Sequence, residues 1–350
     1  MARTRNKENR GLPSRWRHIH GAYYYQVPSG VEHLWDGKKQ FRLGKSLSRA
    51  YTAWAARIAA PERVQLIGQL LDRYLLEVVS KKKPRTRVGN IAQIAMLRPA
   101  FDKVSLTGLK PSHIYLYVDK RSAKTAAHRE IEVLSHAFTK AVEWGLIDRH
   151  PFKGEVRLQG EKARTRYVED WEIGEALSLK RMRRSGSVLA VQAYIKVKLL
   201  TGLRRTDLLR LRVSRNLTED GILVTISKTE DTTGKRMVIT WSAELRAAVE
   251  EAKAARPVDI APWLFCTKSG ACYVNEDGLA PGWDSMWSRF MTRVLNETKV
   301  TERFTEHDLR AKVGSDSETV ESASQLLGHA DPKITKRVYR RKPEVVRPLR

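Results

Sequence analysis

Apolar and polar residues alternate over short runs in the first sixty residues of the chain. Two β-prone runs, residues 22–27 and 39–43, are rich in aromatic and branched side chains and are separated by the turn formers Pro28, Gly30 and Gly37. A helical pattern follows from about residue 46 to residue 59. The pattern predicts a small sheet followed by a helix. A solvated basic tail is the alternative, because so short a segment buries little apolar area.

The spacing of the apolar residues changes after Pro61, where we place a domain boundary. From residue 63 to about residue 145, apolar residues recur at intervals of three and four, as in amphipathic helices. Breaks fall at residues 81–84, 107–108 and 110–112, which contain Pro or Gly. This pattern predicts four or five short helices that pack as a bundle, in a domain from residue 61 to residue 152.

Residues 153–167 are polar, charged and without a period, which predicts a basic linker. A further domain, residues 168–350, begins with an apolar helix over residues 188–200 that Gly202 ends. Thr206 is placed to cap the next helix, residues 207–212. Residues 221–228 and 235–241 alternate around an Asp-Thr-Thr-Gly turn and predict a β-hairpin.

The last fifty residues contain a helix that ends at Leu327 and is stopped by Gly328. Asp331 and Pro332 then supply a cap and a first position for another helix, which carries Tyr339. The pattern places His329 in a tight turn between the two helices. Seven residues of helix span about 10 Å, so Tyr339 is predicted to lie two turns beyond it.

These patterns together predict a multidomain protein that is mainly α with small β-sheets. The domains are a small N-terminal β-sheet domain over residues 1–60, a helical bundle over residues 61–152 and, after the linker, a mixed α/β domain over residues 168–350. A chain of 350 residues with 41% hydrophobic content has room for two or three such cores.

The net charge of the chain predicts the kind of partner that it binds. Lys and Arg number 65 against 39 Asp and Glu, so the formal net charge is +26 at pH 7. Such an excess attracts polyanions over long range, and double-stranded DNA is the leading partner. A membrane surface is the alternative, but no run approaches the ~20 apolar residues of a spanning helix, and residues 1–11 lack the apolar core of a signal peptide. We therefore expect a cytoplasmic, DNA-associated protein.

Basic residues recur beside each predicted element, and we expect some of them to contact the DNA backbone. A single charged run is usually just a solvated face, whereas repeated runs beside a helical bundle favour a phosphate-facing surface. The candidates are Arg3, Arg5, Lys38, Lys39, Arg42, Lys82, Lys124, Arg129, Arg164, Arg166 and Lys235.

The domain over residues 168–350 contains side chains suited to holding and attacking a phosphodiester. Arg204 and Arg310 can hold its non-bridging oxygens bidentately, and His329 can donate to one of them. A tyrosine hydroxyl has an ordinary pKa of about 10 and needs help to lose its proton, which His307 can give to Tyr339. A lone tyrosine is far more often a core residue than a nucleophile, so the case for Tyr339 depends on these neighbours.

The leaving 5′ oxygen of a cleaved phosphodiester needs a proton, which Lys228 in the hairpin can deliver. Lys235 lies close to it in the sequence, so the choice between the two lysines stays open. The chain has no carboxylate cluster with the spacing of a two-metal nuclease and no Gly-x-x-x-x-Gly-Lys phosphate loop. Cys266 and Cys272 are too few for a disulfide framework or a zinc clamp, and we expect ordinary thiols. We expect neither a metal nor a cofactor.

The order of these residues resembles the tyrosine recombinases, and within them the phage integrases similar to that of phage lambda. The resemblance covers essentially the whole chain, since residues 2–44 resemble the family's arm-site-binding domain and residues 128–147 its core-site-binding domain. It departs from the family at Ala311, where a second arginine is frequent. The remaining matches are the first arginine box at residues 201–208, the hairpin lysine at Lys228, the second box at residues 307–310, the third at residues 327–329 and the nucleophile at Tyr339.

The resemblance implies a catalytic domain of the tyrosine recombinase type over residues 168–350, preceded by an arm-site domain and a core-site domain. It implies that Arg204, Arg310 and His329 hold the scissile phosphate, with His307 assisting proton transfer and Lys228 as general acid. Four copies would join two DNA sites, and Tyr339 would form a 3′-phosphotyrosine. The freed 5′-hydroxyls would then attack across the sites to make a Holliday junction.

The implied biological role is the integration and excision of a phage or mobile element in a bacterial host. The implied partners are core and arm attachment sites, a host DNA-bending protein and an excision factor. Two alternatives are a type IB topoisomerase, which reseals the same strand, and a DNA-binding regulator without catalysis. Two DNA-binding modules before the catalytic domain favour recombination over the first, and the complete set of site residues disfavours the second.

Overall fold

The computed structural model describes residues 9, 11–57, 64–160, 164–180, 187–226, 234–329, 331–343 and 348–349. The chain forms two compact units, Met1–Glu161 and Lys162–Arg350. Both are mainly helical and each contains a small antiparallel sheet, which confirms the predicted fold class. Among the described residues, no helix is long and apolar enough to cross a membrane.

The first unit begins with a three-stranded antiparallel sheet in the order β1-β2-β3. The two predicted β-prone runs form β2 (Ala22–Gln26) and β3 (Gln40–Gly44), and β1 (Trp16–Ile19) is an additional strand. His20 and Gly21 join β1 to β2 with positive φ angles of 48° and 69°, which matches the twist of a tight hairpin. The helix predicted after the sheet is α1 (Leu47–Ala55).

Four α-helices follow in the first unit, as the apolar spacing predicts. Pro84 and Pro111 occupy the first positions of two of them, where the missing amide hydrogen costs no hydrogen bond. The last helix spans 20 residues and is therefore longer than the short helices predicted. The helices are α2 (Ile67–Glu77), α3 (Pro84–Phe101), α4 (Pro111–Lys120) and α5 (Lys124–Glu143).

The sheet and the helices of the first unit share one hydrophobic core. Trp16 of β1 and Trp54 of α1 belong to the same buried cluster as Ile67 and Leu70 of α2. The buried guanidinium of Arg98 adds ion pairs with its helical neighbours Asp72 and Asp102. The sheet therefore depends on the helices for its burial, and the predicted division at residue 60 stays a prediction.

The second unit is built around one apolar helix, α7. Its helices are α6 (Asp170–Ser178), α7 (Ser187–Thr201), α8 (Arg205–Leu209), α9 (Val213–Asn216), α10 (Ala243–Ala254), α11 (Pro281–Glu297), α12 (Glu306–Asp316), α13 (Val320–Leu326) and α14 (Pro332–Ile334). Val191, Tyr194, Ile195 and Val197 on α7 are fully buried, and the helix packs against α10, α11 and α12. The core of the unit therefore forms around α7.

The predicted hairpin is present as β4 (Gly221–Thr225) and β5 (Arg236–Thr240), paired antiparallel with Ile222 opposite Ile239. Residues 227–233, Lys228 among them, lie outside the described residues. Cys266 and Cys272 are free thiols, as expected from the sequence. Burial raises the pKa of both thiols, which disfavours the reactive thiolate.

Gly202 ends α7 with a positive φ of 61°, as predicted. The start of the next helix differs from the prediction, since α8 begins at Arg205 and Thr206 lies inside it. Arg204 takes the cap position, with extended backbone. The earlier start turns Leu208 and Leu209 into the core, where both are fully buried. Burial of these leucines outweighs the capping preference of a threonine, which is worth about 1 kcal/mol.

We expect Gly202→Ala to lower the free energy of unfolding by about 2 kcal/mol, because a left-handed φ is strained for any residue with a Cβ. A Cβ at this position would also lie 2.8 Å from Cδ2 of Leu327. Gly174→Ala in α6 is the control, since nothing lies within 4 Å of a Cβ there, and it should add about 0.5–1 kcal/mol. Urea unfolding followed by circular dichroism measures both. Equal stability of the two variants would refute the strain at Gly202.

Candidate active site

The second unit brings together five of the six residues that the sequence singles out for chemistry, while Lys228 lies outside the described residues. They come from the turn before α8, from α12, from the turn after α13 and from the end of the chain's last helical segment. They are Arg204, His307, Arg310, His329 and Tyr339.

Tyr339 lies at the end of a π-helical turn, Thr335–Tyr339, that continues α14. The amide of Arg340 donates to the carbonyl of Thr335 at 3.2 Å, five residues back, so the segment is wound more widely than the α-helix predicted from the sequence. The Tyr339 ring is buried, and its centroid lies 4.8 Å from that of His329. The two side chains are therefore neighbours despite the two helical turns expected between them.

The Tyr339 hydroxyl has a base within reach. Its oxygen lies 3.3 Å from Nε2 of His307, and the two rings stack with their centroids 5.2 Å apart. Partial desolvation and the nearby cations Arg310, Arg341 and Lys198 lower the pKa of His307, although the ring keeps an exposed edge. A neutral His307 can accept the hydroxyl proton, so the pair has the arrangement of a nucleophile with its general base.

The Arg310 guanidinium is buried and bound on several sides. It donates to the carbonyl of Gly202, to the carbonyl of Leu327 at 2.6 Å and to Nε2 of His329 at 3.1 Å. A guanidinium has only donors, so Nε2 of His329 must accept and Nδ1 of a neutral ring carries the hydrogen. That hydrogen is donated to Oγ1 of Thr335 at 2.8 Å. Arg310 thus fixes both its own position and the tautomer of His329.

The two arginines form a site that favours an anion. Burial, followed by the charge of Arg204, lowers the pKa of Arg310 to about 10. Nη1 of Arg204 and Nε of Arg310 are buried and make no hydrogen bond within the described part of the chain. Buried donors normally have a partner, and unpaired N–H groups on two like charges match the oxygens of a phosphate. Among the described residues, no group of three or more His, Cys, Asp or Glu could hold a metal ion.

Small residues of α12 make room for Tyr339, and sequence analysis did not identify them. A Cβ on Gly314 would lie 2.8 Å from Cβ of Tyr339, so a larger residue would push the tyrosine away. Ser315 donates its hydroxyl to the carbonyl of Tyr339 at 2.8 Å. Thr335, which orients His329, was missed as well. The signal in the sequence for Gly314, Ser315 and Thr335 is that all three are weak helix formers inside helical segments.

A buried lysine supports the turn that carries Arg204. Lys198 on α7 donates its ammonium to the carbonyl of Leu203 at 2.7 Å, with 1% of the residue exposed. Desolvation lowers its pKa to about 7, against the attraction of Glu306. Sequence analysis places Lys198 only on an apolar helix, because its direction depends on the packing of α7 against α12.

The candidate DNA contacts of the first unit differ in exposure. Arg3 and Arg5 lie outside the described residues. Two N–H groups of Lys82 are engaged, with the hydroxyl of Tyr74 and the side chain of Asn90, each at 2.9 Å. Lys124 donates to two backbone carbonyls at the end of α4. The exposed side chains are Lys38, Lys39, Arg42, Lys124 and Arg129.

The candidate DNA contacts of the second unit are largely engaged within it. Arg164 pairs with Asp308 at 2.9 Å, and Arg166 pairs with Glu172 at 2.5 Å. Lys235 is half-buried at the start of the returning hairpin strand, where its carbonyl accepts from the amide of Ile226. The roles of these residues in DNA binding stay predictions.

Comparison with known proteins finds a family model that matches part of the second unit and solved structures with a similar fold. Residues 179–344 match the model of the phage integrase family. The structure of a lambda integrase dimer bound to a COC′ core site is 18% identical with a TM-score of 0.63, over 99% of this chain and 99% of that chain. The lambda integrase tetramer bound to a Holliday junction is 19% identical with a TM-score of 0.59, over 92% and 97%.

A third similar structure is the Tn1549 transposon integrase, residues 82–397, in complex with circular intermediate DNA. It is 16% identical with a TM-score of 0.62, over 77% of this chain and 94% of that chain. Among curated proteins, no sequence matches this chain. At these identities the solved structures show a shared fold, and the family model covers the unit that contains the site.

We expect His307 to titrate below the ordinary histidine pKa of about 6.5, since its environment disfavours the charged ring. Lys198→Met should move the midpoint upward because it removes a nearby positive charge. Lys196→Met is the control, since Lys196 lies on the same helix but pairs with Glu251 at 2.7 Å. NMR titration of labelled histidine measures all three midpoints. A midpoint above the ordinary value, or one that Lys198→Met leaves unchanged, would contradict this electrostatic account.

Proposed function

Because residues 179–344 carry a domain of the phage integrase family, the DNA strand-transferring tyrosine recombinases, we propose that this protein is a site-specific DNA recombinase. The observation that carries the proposal is the Tyr339 hydroxyl, 3.3 Å from Nε2 of His307, with the Arg310 guanidinium 5.4 Å from the centre of its ring. Arg310 and Arg204 both have unpaired N–H groups. A nucleophile, a base and an anion site are the three parts that metal-free phosphoryl transfer requires.

The geometry supports the following cleavage step. Arg204 and Arg310 hold the non-bridging oxygens of the scissile phosphate, and His329 adds a donor once Nε2 is released from Arg310 and protonated. The Tyr339 oxygen attacks phosphorus while its proton passes to Nε2 of His307. A bond from Tyr339 to phosphorus forms, the bond to the 5′ oxygen breaks, and the DNA is left joined as a 3′-phosphotyrosine. The phosphotyrosine bond conserves the energy of the broken phosphodiester. Rejoining is the reverse reaction, in which a 5′-hydroxyl attacks the phosphorus and releases Tyr339.

The departing 5′ oxygen takes its proton from a lysine of the hairpin. Lys228 is the residue that we propose, and it lies outside the described residues. Lys235 is the second candidate, because its backbone pairs with Ile226 at the described end of the hairpin.

We propose that four copies act together on two DNA sites and exchange strands through a Holliday junction. The support is the shared fold with a lambda integrase tetramer bound to such a junction. The first unit would bind the core site through its helices and the arm sites through its sheet. The outcome would be integration and excision of a phage or mobile element in the cytoplasm of a bacterial host, with a host DNA-bending protein and an excision factor as further partners.

Two other functions use part of the same structure. A type IB topoisomerase would share the tyrosine chemistry and reseal the same strand, whereas a recombinase joins strands from two sites. A regulator without catalysis would have no need for a base beside a buried tyrosine hydroxyl, and the His307 contact favours an enzyme. Labelled strands from two different sites separate these functions, since only a recombinase yields a strand joined across sites.

We expect Tyr339→Phe to bind DNA normally and to form no covalent adduct, because the substitution removes only the attacking oxygen. The substrate in this assay is DNA that contains the attachment site, which is found by sequencing the DNA that flanks the gene. Tyr273→Phe is the control, since that hydroxyl contacts only Met286 among the described side chains and the variant should form adduct like the wild type. Adduct is measured as labelled DNA that stays with the protein in SDS. Adduct in Tyr339→Phe would refute the nucleophile assignment.

We expect Arg42→Gln to weaken arm-site binding about tenfold at physiological salt and to lower the salt-dependence slope by about one, as for loss of one phosphate contact. Arg42 is exposed on β3, and a point substitution is preferable to deleting residues 1–60 because Trp16 and Trp54 belong to the shared core. Lys103→Gln removes an equally exposed charge elsewhere in the unit and serves as control. Fluorescence anisotropy across salt concentrations measures both. Equal effects on arm-site and core-site DNA would contradict the arm-site role of the sheet.

A further inference from the structure

The segment after Tyr339 is bound to the same unit that carries the site. Arg341 is nearly buried, and its guanidinium donates to Oδ1 of Asp308 at 2.6 Å and to the carbonyls of Arg166 and Val338, each at 3.1 Å. Its amide donates to the hydroxyl of Ser315 at 2.7 Å. The same hydroxyl donates to the carbonyl of Tyr339, so one serine side chain binds the backbone on both sides of residue 340.

Asp308 is the carboxylate on which these contacts converge. Its side chain is fully buried, and it accepts from the Arg164 guanidinium at 3.2 and 2.9 Å and from the amide and hydroxyl of Thr305 at 2.9 and 2.8 Å. Burial opposes ionisation, but the donors of Thr305 and Arg341 and the charge of Arg164 lower the pKa of Asp308. Asp308 therefore stays charged and joins the start of the unit, α12 and the end of the chain.

We propose that Asp308 and Arg341 form a latch that holds Tyr339 in its attacking position, which makes both of them positioning residues. The inference rests on the proposed function. Among the hydrogen bonds of the described residues, the Tyr339 hydroxyl pairs with His307, and the unpaired arginine donors bind neither Asp308 nor Arg341. Both act on the nucleophile through the backbone that they hold against α12, and the charge of Arg341 adds to the burial that lowers the pKa of His307.

Tyr339 is fixed from two sides, and the latch is one of them. On the N-terminal side, Thr335 binds His329, and the wide π turn carries the chain from there to Tyr339. On the C-terminal side, Arg341 binds Asp308, and Arg340 adds one hydrogen bond to the carbonyl of Ser317. Loss of the latch should leave the segment attached but allow the tyrosine to drift, and a misplacement of about 1 Å can cost 10²-fold in rate.

The anion site does not depend on the latch. Arg310 is held by the carbonyls of Gly202 and Leu327, and the turn before Arg204 is supported by Lys198. A variant without the latch should therefore bind DNA like the wild type while it cleaves more slowly. This split between affinity and rate separates a positioning residue from a phosphate contact, which would change affinity and its salt dependence.

The first experiment needs no DNA. Hydrogen exchange of residues 338–342 should become faster in Arg341→Ala and in Asp308→Asn, and Arg341→Lys should recover part of the protection because an ammonium can still pair with Asp308. Arg337→Ala is the matched control, since it removes an exposed charge from the same segment. Unchanged exchange in Arg341→Ala would overturn the latch, whatever the activity of the protein.

The second experiment measures single-turnover cleavage of a nicked attachment site at saturating protein. We expect Arg341→Ala to cleave about 10–100-fold more slowly with an unchanged Kd, and Arg337→Ala to cleave at the wild-type rate. The loss of rate in the double variant with Asp308→Asn should be smaller than the two single losses combined, since both substitutions break the ion pair of Asp308 with Arg341. Wild-type cleavage in Arg341→Ala, or a loss confined to Kd and the salt slope, would overturn the proposal. A wild-type protein that forms no adduct would refute the proposed function, and the exchange measurement alone would then decide the latch.

Discussion

The guanidinium of Arg310 is buried and donates to three acceptors, which come from two segments that are far apart in the sequence. Its acceptors are the carbonyl that follows α7, the carbonyl at the end of α13 and the imidazole of His329. Each of these segments carries or adjoins a residue of the candidate site. A buried charge without such partners would be strongly destabilising, so the fold must bring all three acceptors to it. The geometry of the site therefore depends on satisfying one arginine.

The same arrangement leaves the site with two positive charges and with hydrogen-bond donors that have no partner in the described part of the chain. Burial, and then repulsion by Arg204, lowers the pKa of Arg310, and each arginine keeps a buried N–H group without a partner in the described part of the chain. Partial burial, with the nearby cations, also lowers the pKa of His307, which keeps that ring able to accept the Tyr339 proton. An anion placed between the arginines would relieve the repulsion and fill the donors. A site that is costly when empty is well suited to bind a phosphodiester at its most charged stage.

Sequence patterns predict most reliably those features that depend on the backbone preferences of a few neighbouring residues. The hairpin, the helix stop at Gly202 and the cap at Asp331 follow from turn and capping preferences, and all are present. The start of α8 was predicted two residues late, because burial of Leu208 and Leu209 decides it. The π turn before Tyr339 was not predicted either, since it depends on the contact of Thr335 with His329 across the turn. No local preference encodes such a contact.

The sequence by itself determined the helical character of both units, their strong positive charge and the residue types that suggest phosphoryl transfer. These follow from spacing and composition, which act over a few residues or over the whole chain. Only the tertiary structure decided that His307 contacts the Tyr339 hydroxyl, that Arg310 fixes the tautomer of His329 and that Lys198, Gly314 and Asp308 support them. Those relations join residues on separate helices and turns, and they exist only because packing brings these segments into contact.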